Sequence, residues 1–292
     1  MDTDNGILLE DYFRYLKIER AMSPNTAAAY RSDVAFFLDS AGISACDVTP
    51  EDIEAYLSAR TGYSKRSQAR LLSALKSFFN YLISERRITE NPCDKVDSPK
   101  IGRYLPEVLS VEEVERIMTS VPLDDVSGVR DRAILEVLYG CGLRVSEVTS
   151  LKISDIFFKE KFVSVVGKGN KQRLVPVDDI ALEYVLKYLG MRPEPYDKAS
   201  EDILFLNRSG RRLSRVSVFN MVKHQAMAAG IHKEISPHTF RHSFATHLIE
   251  NGADLRAVQE MLGHESVLTT EIYTHIDAGK WRHTVLEHHP RK

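Results

Sequence analysis

Between Ile235 and His275 the chain gathers side chains of the types needed to surround a phosphate. His238 and Arg241 lie three apart, so a helix starting at this point projects both from one face of its first turn. Ser236 suits the cap of that helix, and Pro237 its first position, where a missing N–H costs nothing. The positive end of the helix dipole favours an anion at the same place. His264 follows Gly263 in the turn after a second helix. Tyr273 falls about two turns into a third, capped by Ser266. An imidazole, a guanidinium, a second imidazole and a phenol thus fall on helix ends and loops. Each has a plainer reading beside this one. A tyrosine near a helix end is commonly a half-buried core residue, and His238, His242 and His247 can be satisfied structural histidines. His238 and His242, at i and i+4, have a metal-ligand spacing, but the HExxH pattern is absent and no carboxylate lies between them.

The 292 residues that must position this stretch are enough for one large domain or two ordinary ones. Hydrophobic content of 43% and charged content of 27% are those of a soluble globular protein. No apolar run reaches the roughly 18 residues of a membrane span, and the first residues lack the basic-then-apolar pattern of a secretory signal. Cys46, Cys93 and Cys141 make neither a disulfide framework nor a zinc pattern, which points to a reducing cytoplasm. The net charge of −2 argues mildly against a nucleic-acid binder, yet distribution matters more than the total. Basic residues cluster at Arg60, Lys65, Arg66, Arg70 and Lys76, at Lys161, Lys168, Lys171 and Arg173, and at Arg208, Arg211, Arg212 and Arg215. Such runs are usually solvated faces, but three in one chain raise the case for DNA.

The pattern predicts two domains and a linker. Residues 1–88 read as a bundle of about four helices. Its fourth helix, capped by Ser64, turns Leu71, Leu72, Leu75, Phe78, Phe79 and Leu82 inward and Lys65, Arg66, Arg70 and Lys76 outward. Residues 89–108, with Pro92, Pro99 and Pro106, read as the linker. Residues 109–292 open with the capping box Ser110-Val-Glu-Glu113. Helices are predicted to about Val121, over Val129–Tyr139 and over Leu143–Leu151, the last with Arg144 and Glu147 at its start. Strand-like runs follow at Phe157–Phe158, Phe162–Val166 and Arg173–Val177. Gly167–Asn170 is a hairpin turn with Lys168 at its tip. Ile203–Leu206 reads as a further strand, and Ser214 caps a helix to Ala229. A last helix carries Trp281 and Val285. The fold class is mainly α with a small β-sheet.

Five segments of the second domain now stand in order: Gly142-Leu-Arg-Val-Ser-Glu147, Gly167-Lys-Gly-Asn-Lys171 with Arg173-Leu-Val-Pro176, His238-Thr-Phe-Arg-His242, Leu262-Gly-His264 and Ile272-Tyr-Thr-His275. In that order and at that spacing they resemble the motifs of the tyrosine recombinase (phage integrase) family, closest to the Xer recombinases. The resemblance covers nearly the whole chain. It implies an N-terminal helical DNA-binding domain and an α+β catalytic domain. It also implies that Tyr273 attacks a DNA phosphodiester and becomes linked to the 3′ phosphate. A phenol with a pKa near 10 needs a proton acceptor, a role suited to His238. Arg144 and Arg241 would stabilise the phosphoryl transition state, and His264 would add a hydrogen bond to the phosphate. Lys168 would protonate the leaving 5′ oxygen. Glu147 would orient Arg144 or His238, or would simply be a helix-start carboxylate.

No metal, cofactor or ATP is called for in this chemistry, because the arginines replace the metal and the phosphotyrosyl bond keeps the energy of the broken one. The implied partners are double-stranded DNA with a short two-armed site, and a homo- or hetero-tetramer with a paralogous recombinase. A septal DNA translocase is a further implied partner, and no membrane is involved. Trp281 and Val285 would dock on a neighbour or pack within their own domain. DNA contacts are expected from Lys65, Arg66 and Arg70 in the first domain and from Lys171, Arg208, Arg211 and Arg212 in the second. The implied role is chromosome-dimer resolution in the bacterial cytoplasm, at chromosome partition and cell division. The rivals are an integrase of a mobile element, a type IB topoisomerase and a non-catalytic DNA-binding regulator.

Overall fold

The computed structural model describes residues 3–60, 62–99, 107–167, 172–263 and 287–290. The chain divides into two compact units, Met1–Tyr104 and Leu105–Lys292. Among the described residues no helix is long and apolar enough to cross a membrane.

The first unit is built on helices α1 (Thr3–Ile18), α2 (Pro24–Ala41), α3 (Pro50–Ala59) and α4 (Lys65–Ser84). Ser23, Thr49 and Ser64 cap the last three, each accepting a hydrogen bond from the backbone N–H three residues on. The predicted inward stripe of α4 is buried throughout, and its Phe78 packs edge-on against Tyr12 of α1. A 3-10 turn at Pro92–Lys95 follows. This segment was expected in the linker, but Cys93 and Val96 lie in the core of this unit. Asn91 donates to Lys76 O and Asn80 Oδ1, at 3.0 and 2.7 Å. Burial of Cys93 and Val96 therefore carries the first unit past residue 88.

Leu109 enters the core of the second unit, its N–H donating to Ser243 Oγ at 2.9 Å. The helices of this unit are α5 (Val111–Thr119), α6 (Val126–Gly140), α7 (Val145–Ser150), α8 (Asp179–Leu189), α9 (Arg215–Ala228), α10 (Pro237–Glu250) and α11 (Leu255–Leu262). The expected capping box at Ser110 and Glu113 is present. Helix α6 is buried from Val129 almost continuously to Gly140, the pattern of a helix walled in on all sides. It starts three residues before the predicted Val129, because Asp125 caps it through the Gly128 N–H. Strands β1 (Ile156–Phe157), β2 (Phe162–Val166) and β3 (Gln172–Pro176) form one antiparallel sheet in that order. Val163 lies opposite Val175 and Val165 opposite Arg173.

Two segments differ from expectation. Ile203–Leu206 is buried but makes no ladder: Leu204 N–H donates to Leu151 O at 2.8 Å, and Ile203 and Leu206 form only isolated bridges. A short apolar run is read alike whether it joins a sheet or threads a core. Helix α8, capped by Asp178 through the Ala181 N–H, is an element the pattern above leaves unassigned.

Candidate active site

Arg144 occupies the N-cap position of α7 and Arg241 lies in the second turn of α10. The turn before α7 brings them together. Gly142 has φ +58°, a left-handed conformation, and a Cβ there would stand 2.4 Å from the Phe244 ring of α10. Only glycine lets the two elements approach this closely. Arg241 then donates to Gly142 O at 2.7 Å from a side chain almost wholly buried.

Glu147 is the centre of the site. It is 4% exposed and lies one turn into α7. Its Oε2 accepts from the Arg144 N–H at 2.8 Å and its Oε1 from the Arg144 guanidinium at 2.9 Å. Arg173 of β3 grips the same carboxylate with a parallel fork, at 2.8 and 2.9 Å. Arg241 stands 4.0 Å from Oε2. Burial alone would raise the Glu147 pKa, but the hydrogen bonds and charge of Arg173, with those of Arg144, hold it below its ordinary value. Burial, with Arg144 nearby, pushes Arg241 down to about 10, so it is still a cation at neutral pH.

The same three arginines hold the end of α11. Arg173 Nε donates to Met261 O at 2.9 Å, Arg241 donates to Leu262 O, and Arg144 donates to Gly263 O at 3.1 Å. A helix C-terminus leaves its last carbonyls without intrahelical partners, and it is the negative end of the dipole. Three cations satisfy three of them in succession. Gly263, at φ +66°, ends the helix, and the chain leads from it directly into His264.

Of the expected catalytic residues, Arg144 and Arg241 are therefore brought together, with Glu147, expected to orient Arg144 or His238, between them. Ser236 and Pro237 start α10 as anticipated, and His238 is exposed on its first turn. Lys168, His264 and Tyr273 lie outside the described residues, as do Lys171, Trp281 and Val285. The described basic residues expected to meet DNA, Lys65, Arg66, Arg70, Arg208, Arg211 and Arg212, are exposed, but several have partners. Lys65 and Arg66 stand at the start of α4, while Arg70 forms a two-pronged ion pair with Asp33. Arg208 is 3.4 Å from Ser127 Oγ, and Arg211 stacks over Tyr196 at 3.8 Å. Arg212 donates to Thr149 O at 2.7 Å, closing the C-terminal end of α7. The sequence places Arg173 in a basic run, a strand and a motif segment, but assigns it no role in the site. The overlooked signal is its parity: it shares the inward side of its strand with Val175 and Val177, where a charge needs a buried partner.

Residues 107–280 match the model of the phage integrase family, and residues 9–86 match that of the phage integrase N-terminal SAM-like domain. The chain is 44% identical over 295 residues to tyrosine recombinase XerD of Chlorobaculum tepidum, covering 97% of this chain and 96% of that one. A crystal structure of XerA recombinase is 32% identical, with a TM-score of 0.51, and 98% of this chain and 99% of that one are covered. XerH recombinase bound to a palindromic difH substrate, in a post-cleavage complex, shares the fold at a TM-score of 0.71 and 23% identity, over 97% of this chain and 82% of that one.

Proposed function

The chain belongs to the phage integrase family of tyrosine recombinases, enzymes that break and rejoin DNA, and from that premise we propose that it resolves chromosome dimers at a short two-armed site. The observation that carries the chemistry is the Arg144–Glu147–Arg241 arrangement on the end of α11, immediately before His264. Arg144 and Arg241 supply fixed guanidinium forks for a phosphoryl group whose negative charge grows in the transition state. The Tyr273 phenol loses its proton to His238 and its oxygen bonds to phosphorus. The bond from phosphorus to the 5′ oxygen breaks, and Lys168 supplies the proton that oxygen takes up. His264 donates a hydrogen bond to the phosphate. A 5′ hydroxyl from a second duplex then attacks the phosphotyrosyl bond and frees Tyr273. Each protomer cuts one strand, so exchange between two duplexes takes four, either identical or paired with a paralogue. A septal DNA translocase is the partner that such a role implies, and the cytoplasm is its place.

The test is covalent trapping. Nicked duplexes carrying candidate sites are incubated with the protein in EDTA beside Tyr273→Phe. An adduct that resists denaturant and vanishes in the variant supports the proposed nucleophile. An adduct that persists in the variant assigns the wrong residue. Specific binding without any adduct, even with the paralogue added, favours a regulator on the same scaffold.

A further inference from the structure

Arg173 points into the second unit. Its side chain is 6% exposed, and three of its donors are committed, two to Glu147 and one to Met261 O. Like Arg144 it holds both the Glu147 carboxylate and the end of α11 by direct hydrogen bonds, but it does so from a buried side chain, whereas that of Arg144 is 30% exposed. The fit is close: a Cβ on Gly263 would come within 3.4 Å of Arg173 Cδ and Nε. Resting on the reading of function above, we propose that Arg173 is a positioning residue for strand cleavage, setting Glu147 and the last turn of α11 so that Arg144 and Arg241 present their guanidinium groups to the phosphate.

The physical case is a competition for one carboxylate. Among the described residues, the charged groups facing Glu147 are Arg144 from the N-cap of its own helix, Arg173 from β3 and Arg241 from α10. With Arg173 in place, both oxygens are occupied in a fixed plane, and Arg241 is kept 4.0 Å away with its donors turned to carbonyls. Without that fork the buried carboxylate must find its hydrogen bonds from Arg144 and Arg241, which draws both toward the interior and away from an incoming phosphate. Lysine offers the charge but not the planar fork, and cannot bridge the carboxylate and Met261 O in the same way.

The experiment uses the full chain and two readouts. Single-turnover adduct formation on a nicked site is measured beside DNA affinity for wild type, Arg173→Lys and Arg173→Met. The Glu147 carboxyl is titrated by carbon-13 NMR in the DNA-free proteins. In Arg173→Met, adduct formation should fall by up to about a hundredfold, the scale of a small misplacement at a reacting centre, while DNA affinity stays near wild type. Arg173→Lys should lie between, and the Glu147 titration should move up in pH in both. Cleavage at the wild-type rate, cleavage that falls only in step with DNA affinity, or an unmoved carboxyl titration would overturn the assignment. If Arg173→Met does not fold, Arg173→Lys is judged by the same criteria. A wild type that forms no adduct would count against the reading of function, and the titration alone then decides whether Arg173 holds Glu147.

Discussion

The two halves of α10 carry two polar clusters made of opposite materials. Around Arg241, three cations surround one buried carboxylate and the carbonyls of a helix end. Around His247, the direct contacts are a phenol and rings, with a carboxylate farther out: Tyr139 hydroxyl meets His247 Nδ1 at 2.9 Å, and the His289 ring packs against Tyr139 and Phe244 with its Nδ1 4.0 Å from the Asp178 carboxylate. Desolvation pushes the His247 pKa down, which favours the neutral ring. The first cluster concentrates charge between the start of α7 and the end of α11. The second disperses it, and ties the end of the described chain to the core. One helix thus carries an arginine–carboxylate cluster at one end and a ring-packed histidine cluster at the other.

The difference can be broken most severely at Glu147. Glu147→Ala leaves Arg173 and Arg241 buried without their carboxylate, and removing one partner of a buried ion pair costs about 3–5 kcal/mol. Urea unfolding should show that loss, with strand cleavage falling to background. At the other cluster, Tyr139→Phe leaves His247 Nδ1 without this partner, at a cost of about 1–3 kcal/mol. Thermal unfolding should register it, and adduct formation by the folded fraction should be unchanged. A Tyr139→Phe variant that folds normally but cannot cleave would join the two clusters into one.

Acid should separate the clusters without mutation. His247 has a folded pKa below its ordinary value near 6.5, so the unfolded chain takes up that proton first, and stability falls as pH drops below about 6.5. Glu147 is also lowered. Its contribution is complete above the ordinary glutamate value of about 4.3 and is lost as pH falls through the lower folded value. Melting temperature against pH should therefore decline in two windows, with the upper one reduced in His247→Gln. The smallest effect belongs to Asn251→Ala, which removes the hydrogen bond from Asn251 Nδ2 to His288 O at 2.7 Å. About 0.5–1.5 kcal/mol is the scale of such a bond, and melting temperature is the readout.

Much of this arrangement can be read in the chain itself. Caps at Ser23, Thr49, Ser64, Ser110, Ser214 and Ser236 mark helix starts, because a short hydroxyl side chain has a local task there. The α4 stripe follows from periodicity, and strands β2 and β3 from their apolar, β-branched runs. Arg144 and Arg241 stand out by motif. The role of Arg173 is harder to see, because its carboxylate is 26 positions away and its other acceptor is a backbone oxygen 88 positions away. Sequence marks side chains and is silent about which carbonyls a fold leaves unsatisfied. The same silence explains Arg212, which looks like a surface cation and closes α7, and Arg70, whose partner Asp33 lies on another helix.

The clamp on α11 grips backbone oxygens, so it does not read the identity of the residues that own them. Met261 and Leu262 answer only to the core around them, and apolar replacements of similar volume can drift there without loosening a single arginine. Gly263 has no such freedom, held by its left-handed φ and by the Arg173 side chain beside it. The site can therefore keep its geometry fixed while two of the three residues it holds remain open to evolutionary change.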